Sequence, residues 1–180
     1  MNRKDFLKKA CISTACFCGF GAVASAASDI NTEPEEKEDT IQHEWLANLL
    51  ENLGEDMDEE LLRPVIKKAS EVHYNQLKMD EMLSSYVGDI DAFIQFIQKE
   101  WAWNITYNKD ENIILADENK PHCVCPVLPF KKGKNTSAIC YCSEGFAERM
   151  FSYVLNKPVQ AEVISSVRRG DSTCIYQINV

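Results

Sequence analysis

Residues 159–180 read VQAEVISSVRRGDSTCIYQINV, and their alternation decides the fold. Val159, Ala161, Val163, Ser165 and Val167 alternate with Gln160, Glu162, Ile164 and Ser166. Cys174, Tyr176, Ile178 and Val180 repeat the same spacing further on. Side chains two apart in a strand point to one face, so each run predicts a strand with one buried side. Between them, Arg168-Arg169-Gly170-Asp171 predicts a tight turn, because Gly-Asp suits a hairpin. The Arg-Gly-Asp inside it reads as that turn. Two strands joined so closely pair antiparallel.

Working back toward the N-terminus, Ser143 is expected to cap a helix with Phe146, Met150, Phe151, Val154 and Leu155 on its apolar side. Asn156 and Pro158 stop it. Residues 136–142 read as a strand. Residues 104–108 and 113–116 read as a hairpin around Lys109-Asp110-Glu111. Before Trp103 the period is helical. Trp45, Leu46, Leu49, Leu50 and Leu53 form one stripe, closed by Gly54. Asp58 caps a second helix with Leu61, Leu62, Val65, Ile66, Ala69 and Val72 inward, and Pro64 predicts a kink or a fresh start. A short helix over 80–87 ends at Gly88, and Asp89 caps another that buries Ile90, Phe93, Ile94, Ile97 and Trp101. The expectation is an α+β domain over residues 41–180: N-terminal helices over 41–103 packed on a C-terminal antiparallel sheet, with one late helix.

The chain of 180 residues with 45 % apolar content suits one such domain. Its net charge of −9 is uneven: residues 1–26 carry +3, residues 27–60 carry −12, and residues 61–180 are neutral. With no basic surplus to neutralise phosphates, nucleic acid is excluded as a partner class. Residues 27–40, almost without apolar side chains, read as an acidic linker. Residues 1–9 are basic, residues 10–27 are small and apolar, and Ala24-Ser25-Ala26 has the small-x-small form of a signal-peptidase site, so residues 1–26 read as a signal peptide. Retention of that run as an anchor is the alternative, and the membrane enters only in that case.

Eight cysteines is a high count for this length. Cys11, Cys16 and Cys18 leave with the leader. The remainder are Cys123, Cys125, Cys140, Cys142 and Cys174. Each Cys-x-Cys unit in an extended strand offers two sulfurs on one side. If the two units pair as arms of a long hairpin, facing Cβ atoms lie about 4.5–5.5 Å apart and four thiols converge. Such a set suits zinc, Cu(I) also takes Cys-x-Cys, and iron–sulfur ligation stays open. A metal would fix the loop 123–142, with Pro126, Pro129 and its Lys131-Lys132-Gly133-Lys134 tip. Disulfides are the rival, with one of five cysteines left over. Cys142 has a second reading as a nucleophile, since a position just before a helix lowers thiol pKa. His122 points away from the cluster in a regular strand, and His43 and His73 read as packed or surface imidazoles.

Three resemblances add to this reading. Asn2-Arg3-Lys4-Asp5-Phe6-Leu7-Lys8 resembles the bacterial twin-arginine export signal, with Lys4 at the second arginine. That implies export of a folded chain to the periplasm or cell surface. Ser143-Glu144-Gly145-Phe146, Lys157-Pro158-Val159 and Arg169-Gly170-Asp171-Ser172-Thr173-Cys174-Ile175-Tyr176 resemble the 4-vinyl-reductase type of small-molecule-binding domain. Cys140 to Ser143 with Gly145 and Phe146 is similar to a group of Cys-rich bacterial proteins with a Cys-Tyr-Cys-Ser-x-Gly-Phe core. The 4-vinyl-reductase resemblance implies a helix-covered sheet, a pocket for a small apolar or aromatic ligand, and a zinc site. In it Cys174 and Cys140 match metal ligands, Glu162 approximates an acidic one, and Ser166 stands where a further cysteine is expected. Trp101, Trp103, Phe146 and Phe151 are candidates for the pocket lining. The expectation is an exported metal-binding domain, with zinc as the metal, that also senses or binds a small ligand. The rivals are a thiol-dependent or metal-assisted enzyme using Cys142, and a disulfide-cycling module.

Overall fold

The computed structural model describes residues 40–129 and 135–180, which belong to one compact unit spanning 37–180. The leader, residues 27–39 of the acidic linker and the Lys131-Lys132-Gly133-Lys134 tip lie outside the described residues. Among the described residues no helix is long and apolar enough to cross a membrane.

The first helix, α1 (Ile41–Asp56), starts at Thr40, whose hydroxyl accepts from the His43 N–H. It runs through Gly54 to end two residues later. Helix α2 (Glu59–Gln76) follows Asp58 and contains Pro64 without breaking. A short α3 (Met79–Leu83) passes into a 3₁₀ turn and closes at Gly88, whose φ of +84° favours glycine. Asp89 caps α4 (Ile90–Phe96), which continues as a π-helical turn to Trp101. The Asp89 carboxylate accepts from the Ala92 N–H at 2.9 Å. Asp89→Ala is expected to cost about 1 kcal/mol, read as a lowered thermal midpoint.

The hairpin forms as expected, β1 (Asn104–Asn108) and β2 (Ile113–Asp117), and both later strands form within the expected runs, β3 (Gln160–Ser165) and β4 (Ile175–Asn179). All pairings are antiparallel, in the order β1-β2-β4-β3. The link between β3 and β4 is wider than a tight turn. It contains a 3₁₀ turn (Val167–Arg169), and Gly170 sits at φ +99°. Asp171 closes it, its carboxylate accepting from the Ser166 N–H at 2.7 Å. The Arg-Gly-Asp therefore folds back onto its own loop.

Residues 136–142 are not a strand. A 3₁₀ turn (Ser137–Ile139) leads directly into α5 (Cys140–Leu155), so the late helix begins three residues before Ser143 and Ser143 is not its cap. The reason is burial. Cys140, Tyr141 and Cys142 are all buried, which a half-exposed strand cannot achieve but a helix packed on two sides can. Helix α5 lies between α2 and the inward sheet face formed by Ile114, Ala116, Ala161, Val163, Tyr176 and Ile178. Asn156, at φ +51°, ends it as expected. The fold is α+β, helices first and the antiparallel sheet after, with α5 as the late helix.

The inward stripe of α2 differs from expectation. Leu61, Val65 and Val72 are 61 %, 61 % and 64 % exposed, whereas Leu62, Ser70 and Tyr74 are buried. What turns the helix is its crossing with α5. A side chain on Gly145 would overlap the Lys67 carbonyl oxygen and approach Ser70 Oγ to 2.7 Å, so small residues meet there. Beside the crossing, the fully buried Glu144 accepts from Arg63 Nε at 2.8 Å, Arg63 Nη2 at 2.9 Å and the Val163 N–H at 2.8 Å. Helix, helix and sheet are thereby joined at one carboxylate.

Candidate functional site

A cavity of about 350 Å³ is bounded by the first three turns of α5, the coil that follows β2, and the inward sheet face. Cys140, Cys142, Ser143, Phe146, Ala147 and Met150 come from α5 at helical spacing. The end of α2 adds His73, and Met79 and Met82 come from α3. Trp101 and Trp103 form an aromatic wall, their rings 5.5 Å apart, and Trp103 stacks on Tyr176 at 6.0 Å. His73 packs on Phe146 at 4.8 Å, and burial lowers its pKa. Phe151 does not line the cavity. It is fully buried in the core against Phe93, with ring centroids 5.3 Å apart.

All five cysteines of the domain, Cys123, Cys125, Cys140, Cys142 and Cys174, line this cavity. They reach it by a different route from the one expected. The two Cys-x-Cys units do not pair as hairpin arms: Cys123 and Cys125 lie in coil, while Cys140 and Cys142 occupy the first turn of α5. Cys174 sits just ahead of β4. All five are free thiols. Among the described residues no three His, Cys, Asp or Glu side chains form a group able to hold a metal ion. His122 is exposed, and neither it nor His43 lines the cavity.

Burial governs the thiols. It pushes Cys142 and Cys174 each up to about 11, and raises Cys140 against the opposing effect of its 3.1 Å contact with the Ser166 hydroxyl. The low pKa expected of Cys142 as a nucleophile is opposed by this burial. It does sit in the first turn of a helix, but burial and the neighbouring Cys125 and Cys140 all push its thiol up. Ser166, at the position where the resemblance expects a cysteine, instead fixes Cys140 and accepts from the Arg168 N–H. Glu162 does not line the cavity. It is exposed and pairs with Arg63 at 3.2 Å.

The polar part of the lining is concentrated near Cys174. The Tyr176 hydroxyl donates to Glu118 Oε1, and the Glu118 N–H donates to the Cys174 carbonyl at 2.9 Å, which extends the β2–β4 ladder by one step. Burial raises the Glu118 carboxyl above the ordinary carboxylate range. Arg168 is also buried, donating to the Thr136 hydroxyl at 2.8 Å and to the Leu128 carbonyl, and so ties the coil after β2 to the approach of α5. Sequence reading missed Glu118. The signal was present, because Ile114, Ala116 and Glu118 share one parity and the first two face inward.

The sequence model of a family of unknown function, DUF6144, matches residues 21–180, and the chain belongs to that family. No curated protein matches it.

Proposed function

We propose that this member of the DUF6144 family is an exported, non-enzymatic binding domain. Its cavity takes a small apolar or aromatic molecule, and its thiols hold a soft metal ion, zinc by preference, against one wall. The observation that supports this is the meeting of five cysteines from three separate segments on one largely apolar cavity. Apolar pockets with a few polar groups are the common form of small-molecule sites, and thiolates favour zinc and Cu(I). Metal loading would require the coil bearing Cys123 and Cys125 to draw in toward α5, with release of thiol protons. A four-thiolate site leaves no open position for water, which favours binding over catalysis.

Two measurements test the two halves. Titration with 2-phenylethanol is expected to give a saturable change in the fluorescence of Trp101 and Trp103, read in a Trp45→Phe background because Trp45 is exposed on α1 and outside the cavity. Purified protein is expected to contain about one zinc ion, and chelator is expected to speed the alkylation of Cys123, Cys125, Cys140 and Cys142. A flat titration with 2-phenylethanol, 2-phenylethylamine and phenylacetate alike removes the ligand half. Metal-free protein whose labelling ignores both chelator and added zinc removes the metal half.

A further inference from the structure

Two carboxylates are buried among the described residues, and the fold treats them in opposite ways. Glu144 is met by a two-pronged Arg63 and by a backbone N–H. Glu118 is 9 % exposed and receives only the Tyr176 hydroxyl on Oε1. Among the described residues no Lys, Arg or His lies within ion-pair distance of it, and the Lys120 charge, which favours its ionised form, acts from beyond that distance. Lys120, two residues on, donates instead to the Trp101 carbonyl at 3.5 Å and does not line the cavity. Arg168 lines it as well and donates to the Thr136 hydroxyl and the Leu128 carbonyl. A buried carboxylate without an ion-pair partner is costly, and such a group lining a cavity is a candidate for a functional site.

The rest of the cavity fits a cation with an apolar body. Trp101, Trp103, Phe146 and Tyr176 line it, and aromatic faces attract ammonium groups as well as hydrocarbon. We infer that the cavity selects small amines: the ligand's ammonium group pairs with Glu118, and its apolar body lies against Trp101, Trp103 and Phe146. This rests on the cavity being a ligand site, as proposed above, and adds the class of ligand.

The test compares three probes of matched size on the protein as purified. These are 2-phenylethylamine, 2-phenylethanol and phenylacetate, followed by Trp101 and Trp103 fluorescence. The amine is expected to bind roughly ten- to a hundredfold more tightly than the alcohol, with phenylacetate weakest. Glu118→Gln, which keeps the side-chain shape, is expected to bring the amine-to-alcohol ratio close to one. Equal binding of all three probes, a preference for phenylacetate, or an unchanged ratio in a folded Glu118→Gln protein overturns the inference and leaves the cavity reading intact. Failure of all three to bind removes both. If the variant does not fold, the ranking of the three probes on the unmodified protein decides alone.

Discussion

Gly145→Ala is expected to lower stability by about 3 kcal/mol or more, near the upper end of what overpacking costs. The added methyl group would overlap the Lys67 carbonyl oxygen, a backbone atom that cannot rotate away, and would also crowd Ser70 Oγ. Relief requires α2 and α5 to separate along their crossing, which would open the core between the helices and the sheet. For a domain of this size the thermal midpoint should fall by roughly 6–12 °C. Gly54→Ala is the paired control. Gly54 also lies within a helix, but nothing stands within 4 Å of an added Cβ. There the only effect is helix propensity, and a gain of about 0.5–1 kcal/mol is expected. Two identical substitutions should therefore move the melting curve in opposite directions. Shifts of the same sign would show that the close crossing is not what Gly145 provides.

Removal of the Glu144 carboxylate should cost nearly as much as disturbing the crossing. Glu144→Ala leaves the Val163 N–H and the Arg63 guanidinium without their buried acceptor, and Arg63→Met leaves a fully buried carboxylate with Lys67 at 3.7 Å as its remaining cation. Each single change is expected to cost about 3–5 kcal/mol. The double variant Arg63→Met/Glu144→Leu should cost less than either single change, because it removes both charges and fills the space with hydrocarbon. Denaturant melts of the four proteins close the cycle. Simple additivity would mean that the pair does not act as a unit. Arg63→Lys should not restore the loss, since a single ammonium cannot reproduce two parallel N–H donors. Arg63 also lies 5.3 Å over the Tyr141 ring, so part of its effect comes from that face.

Several elements were readable because local chemistry and tertiary context agree. The Asp89 cap, the 104–117 hairpin, the alternation of β3 and β4 and the stop at Asn156 all depend on residues within a few positions of one another. Where distant partners decide, the local pattern misleads. Cys140-Tyr141-Cys142 alternates in the same way as a strand, yet it is the first turn of a helix because all three side chains find buried surroundings from α2, the sheet and the coil after β2. On α2 two apolar stripes compete, and the richer one, with Leu61, Val65 and Val72, faces out because Ser70 must meet Gly145.

The same division holds for the candidate site. Residue type singled out the five cysteines of the domain and the aromatic residues Trp101, Trp103, Phe146 and Phe151, of which all but Phe151 line the cavity. Glu118 could not be recognised from its type, because most glutamates are solvated. Its meaning depends on which face of β2 is covered and on the Tyr176 hydroxyl that meets its carboxylate there. By itself the sequence determined the fold class and most element boundaries, through periodicities that act over a single turn or strand. Only the tertiary structure decided the helical state of 140–142, the orientation of α2 and the gathering of thiols and carboxylate on one cavity, because each depends on burial against residues tens of positions away.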